Sequence, residues 1–235
     1  MSDPGIIPRY AIYFSPAANT PLLCLGNEWL GRDPATSAVL TPELPATLDE
    51  SEWKRVTGTA AKYGFHATLK PPFRLADEVT LLELQQEMKR FAYSESPFHA
   101  PHLTVGTLGR FLALVLSESS LAFAALAAKC VADFNRFRKP ESEVERARRI
   151  HDSLTSAERE NLIRWGYPYV MDTWKFHMTL TCSLEQEPLR GFQAHLETRF
   201  AEVCMNPLEV DAISLFEETG PGNPFRLVER FGFAR

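Results

Sequence analysis

The 235-residue chain has only four cysteines, Cys24, Cys130, Cys182 and Cys204, and no C-x-x-C pair. That argues against a zinc knuckle or a disulfide framework and for reduced thiols in a cytoplasmic protein. No stretch approaches the roughly 18 uncharged apolar residues of a membrane span. The most apolar, 121–131, is alanine-rich and interrupted by Lys129. The first residues, MSDPGIIPRYAIYF, lack the basic and apolar regions of a secretory signal. Positive charge is in deficit, with 25 Lys+Arg against 30 Asp+Glu and a net charge of −5. A protein that coats long nucleic acid is therefore not expected, whereas a local basic pocket is enough for a small phosphorylated ligand. The chain contains no G-x-x-x-x-G-K-S/T, no G-x-G-x-x-G and no G-x-S-x-G. Those absences leave nucleotide-loop, dinucleotide and serine-elbow chemistry unsupported.

Hydrophobic residues make up 45% and charged residues 23%, as in an ordinary globular protein with a sizeable core. Alternation and turn signals predict strands over 10–14, 63–69, 103–108, 111–116, 175–182, 208–216 and 225–233. Pro71-Pro72 is expected to end the second of these. Apolar spacing predicts helices over 22–30, 49–56, 80–93, 119–138, 156–165 and 188–204, the last with Leu189, Phe192, Leu196 and Phe200 on one side.

The order strand, helix, strand, strand occurs twice, over 63–116 and 175–233, with a helical insertion at 119–170. The expected fold is α+β, one bilobal domain of two pseudo-symmetric lobes. Antiparallel sheets flanked by helices would line a cleft between them.

The leading strand of each copy carries nearly the same pentapeptide, Phe65-His66-Ala67-Thr68-Leu69 and Phe176-His177-Met178-Thr179-Leu180. Side chains two apart on a strand share a face. Each His-x-Thr therefore points one way and the apolar residues point the other, into a core. Two imidazoles across a cleft suit acid–base work near neutral pH. A neutral ring takes a proton from water and a protonated ring gives one to a leaving alkoxide. Thr68 and Thr179 can hold non-bridging phosphate oxygens. Hydrolysis of a phosphodiester, a strained cyclic one or a 2′-linked one, requires these parts and calls for no metal and no cofactor. Lys70 has the parity of His66 and Thr68, and Thr181 follows Thr179 in the same way, so both are candidate substrate contacts. So are Arg9 and Tyr13 on the first strand, and Tyr169 just before the second motif. Arg32, Arg74 and Arg226 are weaker anion partners.

The paired H-x-T motifs resemble the two-histidine phosphoesterase superfamily, which includes cyclic phosphodiesterases. The resemblance implies a bilobal α+β fold and metal-independent catalysis by the two histidines. RYAIYF at 9–14, WLGRDP at 29–34, YGFHATLKPPF at 63–73 and WGYPYV followed by FHMTLT are similar to a bacterial branch associated with phosphonate metabolism. That branch implies a small phosphorylated ribose, cyclic ribosyl phosphate or nucleotide as substrate. Three other readings stay open: a non-catalytic sensor of a phosphorylated nucleotide or ribose, a metal-dependent hydrolase, and an RNA-end-processing enzyme. Oligomeric partners and the assignment of acid and base are also open.

Overall fold

The computed structural model describes residues 7–44 and 48–234, apart from the side chains of Arg146, Arg148 and residues 186–189. The N-terminal part of the signal reading (residues 1–6) and the side chain of Leu189 lie outside the described residues. The elements are β1 (Arg9–Phe14), α1 (Pro21–Leu30), α2 (Glu50–Tyr63), β2 (Ala67–Phe73), α3 (Leu81–Ser94), β3 (Phe98–Leu108) and β4 (Phe111–Leu116). They continue with α4 (Leu121–Asp133), α5 (Glu143–Arg149), α6 (Ser156–Trp165), β5 (Met178–Thr179), α7 (Gln186–Phe200), β6 (Pro207–Val210), β7 (Ala212–Glu218) and β8 (Arg226–Gly232).

The fold is α+β, and its strands form one antiparallel sheet in the order β6-β3-β4-β5-β2-β1-β7-β8. Each repeat lends its leading strand to the centre. β5 sits against β4 of the first copy, and β2 sits between β5 and β1, with β7 and β8 of the second copy beyond β1. The expected strand 208–216 is split at Asp211. Val210 pairs with Phe98 on β3 and Ala212 pairs with Gly232 on β8. One residue thus joins strands near opposite ends of the order, so the sheet must curl until those ends meet. Asp211 holds the switch by accepting from Arg230 through its side chain and from Phe233 N through its carbonyl, the latter at 2.8 Å.

Helix boundaries follow their caps. Thr80 caps α3 in a reciprocal box with Glu83, Thr155 caps α6 with Glu158, and Ser120 caps α4. α4 ends at Asp133, before the expected 138, and the chain tightens into a 3-10 turn at Asn135–Phe137. α2 outruns the expected 49–56 through Thr57-Gly58-Thr59, poor helix formers. Tertiary burial of Val56, Thr57 and Ala60 carries it on, and Thr57 returns its hydroxyl to the Trp53 carbonyl at 2.9 Å.

One face of the sheet packs on helices. Ile12, Phe14, Phe65, Ala67, Leu69, Met178, Leu180, Leu84, Met88, Phe123 and Leu196 belong to one buried cluster. The other face carries a small aromatic cluster of Ala11, Tyr13, Phe216 and Phe225. This parity makes one face of β1 core and the other the floor of a cleft.

Candidate active site

The two motifs meet at the centre of the sheet. Ala67 pairs antiparallel with Met178. Continued one residue each way, that register sets His66 opposite Thr179 and Thr68 opposite His177. Residues directly opposite on antiparallel strands have Cβ atoms about 4.5–5.5 Å apart, and diagonal ones about 7–8 Å. An antiparallel pair has a local twofold axis, and here it carries one His-x-Thr onto the other. His66 and Thr179 line one cavity of about 240 Å³ with Thr59, Tyr63 and Phe111.

Each histidine stands one residue before its strand and is oriented in the same way. His66 Nδ1 lies 2.9 Å from the Gly64 carbonyl, and His177 Nδ1 lies 2.9 Å from the Lys175 carbonyl. A carbonyl only accepts, so both Nδ1 atoms donate and both neutral rings keep a bare Nε2. His66 Nε2 takes the Thr68 hydroxyl at 3.3 Å. The Tyr13 ring stacks on His66 at 3.7 Å between centroids, with Phe216 at 6.4 Å. Phe111 stands 5.9 Å from His177. Burial, with a further push from His177, lowers the His66 pKa to about 4 even though the Gly64 carbonyl favours the charged ring. Burial also lowers that of His177.

Gly64 makes the first turn possible. Its φ of 80° with ψ of 177° is a region essentially confined to glycine, and a Cβ there would come within 2.3 Å of the Pro34 ring.

Tryptophan N–H groups hold the second motif in place. Trp174 donates to the Thr68 carbonyl at 2.8 Å, and Trp29 to the Leu180 carbonyl at 2.8 Å. Trp53 in turn donates to the Trp29 carbonyl at 2.7 Å. The Trp174 bond occupies a β2 acceptor, and β5 is two residues long where a strand over 175–182 was expected. WLGRDP is likewise structural. Arg32 donates to the carbonyls of Ala61, Lys62 and Phe225, so it is not an anion contact.

Two candidate contacts are corrected. Ile12 pairs with Lys70 and Tyr13 with Thr68, a register shift that leaves Leu69 as an extra residue. This bulge reverses parity. Lys70 therefore joins the helical face, fully buried, with Nζ donating to the Val131 carbonyl at 3.2 Å. β2 also passes through Pro71-Pro72 instead of stopping, because these prolines fall at a second register shift, between Tyr10 and Ile12. Thr181 is buried with its hydroxyl fully used, accepting from Leu112 N and donating to the Cys182 carbonyl, both at 2.9 Å.

Burial, aided by Arg138 and opposed by Cys130, lowers the Lys70 pKa to about 7. The folded value then lies below the unfolded one, so stability is fullest above the unfolded pKa and declines as pH falls toward 7. In urea unfolding between pH 7 and 10, the wild type is expected to gain stability with pH relative to Lys70→Met, by up to about 1.4 kcal/mol per unit. Parallel curves for the two proteins would place the ammonium in water.

Arg9 is paired with Glu218 at 2.5 Å, and Tyr13 is buried beneath His66. Tyr169 is 48% exposed and meets only the edge of Tyr167 among aromatic rings, at 5.7 Å. Arg226 is bound to Glu217 and Arg74 to Glu145. Residues not foreseen at the cleft are Tyr63, Phe111, Phe216 and Phe225. Among the described residues no group of three or more His, Cys, Asp or Glu lies where it could hold a metal ion, and no helix is long and apolar enough to cross a membrane.

An antiparallel α+β sheet bearing two twofold-related His-x-Thr motifs fits the two-histidine phosphoesterase superfamily. Within that class, the chain belongs to the family described as "Protein of unknown function (DUF1045)", whose profile matches residues 68–226. Two curated relatives are named ribose 1,5-bisphosphate phosphokinase PhnN. One, from Janthinobacterium sp. (strain Marseille), is 36% identical over 96% of this chain and 51% of its own length. The other, from Laribacter hongkongensis (strain HLHK9), is 32% identical over 93% of this chain and 50% of its own. The chain thus spans about half the length of these relatives. Crystal structures of E. coli LigT are similar at 12% identity. The complex with 3′-AMP has a TM-score of 0.40 over 97% of this chain and 99% of LigT. The ATP complex has 0.41 over 98% and 100%.

Proposed function

We propose that the protein hydrolyses a cyclic phosphodiester on a small phosphorylated ribose or nucleotide, without a metal ion. The observation that carries this reading is the pair of imidazoles on facing strands, each fixed through Nδ1 so that Nε2 is left as an acceptor, which in His66 takes the Thr68 hydroxyl. His66 is the base, because burial keeps it neutral down to about pH 4. Its Nε2 takes a proton from water as the water oxygen bonds to phosphorus. The endocyclic P–O bond breaks, and His177, protonated at both nitrogens, gives its Nε2 proton to the leaving ribose oxygen. The product is a phosphomonoester. Thr68 and Thr179 donate to the non-bridging oxygens, where charge grows. The phosphate's own negative charge raises the proton affinity of His177 once substrate is bound.

The relatives' name favours a ribose phosphate over a nucleotide. The same name also says phosphokinase, and this sequence holds no P-loop for that chemistry, so hydrolysis is the reading proposed for this chain.

The test is turnover of 2′,3′-cyclic nucleotides and cyclic ribose phosphates with excess chelator, across pH. Chelator-resistant hydrolysis is expected. In kcat/KM, which reports the free enzyme, the acid limb follows His66 near pH 4 and the basic limb follows His177. The optimum therefore lies below the ordinary histidine value of 6.5. In kcat the basic limb moves upward, since bound phosphate holds the His177 proton. Activity abolished by chelator, or a kcat/KM still climbing at pH 8, would sink the mechanism. Tight binding of a cyclic phosphate without turnover would favour the sensor.

A further inference from the structure

A second pocket, of about 510 Å³, lies between Arg9, Pro72 and Arg74 on one side and Arg138, Arg149 and Gly166 on the other. It shares no lining residue with the cavity at His66. Arg9 belongs to the same face of β1 as Tyr13, since its guanidinium stands 5.8 Å from the Phe225 ring in the cleft-floor cluster. Four residues of strand span about 13 Å, and the arginine side chain shortens that gap. On the other side, Arg149 stands 5.7 Å from the ring of Tyr167, which follows Gly166.

Among the described residues, five cationic side chains line the pocket: Arg9, Arg74, Arg138, Lys139 and Arg149. Four have carboxylate partners. Arg74 pairs with Glu145 at 3.0 Å, Lys139 with Asp77 at 2.6 Å, and Arg149 with Glu141. Arg9 shares Glu218 with Lys62. Arg138 has no carboxylate partner among the described residues. Its guanidinium meets only neutral acceptors, Asn135 Oδ1 at 3.1 Å and the Arg164 carbonyl at 3.4 Å.

Arg138 is held rigidly. Its backbone bridges to Leu75, and the Lys139 N–H donates to the Arg74 carbonyl at 2.8 Å. Its Nη1 presses on Gly166, where a Cβ would come within 2.8 Å. Glu141 supplies the complementary feature. One carboxylate oxygen accepts from Arg149, while Oε2 is buried with no hydrogen-bond partner among the described residues. A buried acceptor left unpaired is costly, and a donor such as a sugar hydroxyl would satisfy it.

We propose that this pocket is a second subsite of the same cleft, where Arg138 takes a phosphate monoester and Glu141 a sugar hydroxyl of the molecule whose cyclic diester lies at the histidines. The proposal rests on the phosphodiesterase reading above and narrows it to a ribose carrying two phosphates, one cyclic and one at the far end of the sugar.

The test compares kcat/KM for a cyclic ribose phosphate with and without a 5-phosphate, in the wild type, Arg138→Gln and Arg138→Lys, after matching their melting temperatures. The 5-phosphate is expected to raise wild-type kcat/KM about 10- to 100-fold. Arg138→Gln lowers that ratio about tenfold, mainly through KM, and Arg138→Lys recovers part of it. Equal turnover of both substrates by the wild type would overturn the subsite and leave the diesterase reading standing. If neither substrate turns over, the diesterase reading falls, and calorimetry with ribose 5-phosphate decides the subsite alone. Affinity lost about tenfold in Arg138→Gln supports it, and unchanged or absent binding overturns it. Inorganic phosphate that binds as tightly as ribose 5-phosphate, without competing with the 5-phosphorylated substrate, would mean a separate anion and would also overturn it.

Discussion

Replacing His66 or His177 by alanine is expected to lower kcat on a cyclic phosphate by about 10²- to 10⁴-fold, the usual contribution of a positioned acid or base. The double variant should lose little more than either single one, since groups that act as a unit are not additive. The two single variants should differ in their pH profiles. Without His66 the acid limb disappears, and without His177 the alkaline limb does. Neither change should unfold the protein, because both rings stand on the cleft side, outside the helical core cluster. His66→Ala leaves Tyr13 without its stacked partner, so a modest loss of stability is expected there and not at His177. The check is single-turnover kinetics with far-UV circular dichroism. A variant that keeps full activity removes that histidine from the mechanism.

Gly64→Ala is expected to damage stability and activity together. Gly64 combines a backbone conformation that a Cβ disfavours with a contact that leaves no room for one. The cost is about 2–4 kcal/mol, or a fall in Tm of roughly 4–16 °C for a chain of this size. Its carbonyl also receives the His66 Nδ1 proton, so any shift of the turn frees the ring to rotate and weakens the base. Gly58→Ala is the matched control. It lies exposed in α2 with nothing within 4 Å of an added Cβ, and it should stabilise by about 0.5–1 kcal/mol. Thermal melts and kcat for the pair settle the matter. A Gly64→Ala protein with wild-type Tm would mean that the turn is not held as described.

Much of the site was legible because it depends on a local rule. A period of two, with Phe65, Ala67 and Leu69 on one side and His66 and Thr68 on the other, determines which residues are buried wherever the strand lies. The same holds for Phe176, Met178 and Leu180. The α+β class followed from similar local signals: the alternation and turn signals that mark the strands, and the apolar spacing of the helices, such as Leu84, Met88 and Phe91. The parity rule failed at Lys70 because a one-residue bulge is set by the partner strand. Nothing in ATLKPPF says that Ile12 will stand opposite Lys70 and leave Leu69 over. Strand length, not parity, was misjudged at 175–182, where the Trp174 side chain occupies a β2 acceptor. The switch at Asp211 also depends on two partners, β3 and β8, that lie far away in the chain. The aromatic floor under His66 was not legible either. Tyr13, Tyr63, Phe216 and Phe225 come from four separate segments, brought together only when the sheet curls. Glu141 opens a charged stretch that reads as solvated surface, and Arg138 reads as the end of the helix before it. Only the packing of that stretch across the ends of β1 and β2 turns it into a pocket wall. Residue type and alternation are properties of a segment, whereas register, bulges and cavity walls are properties of pairs of segments, decided by which ones meet.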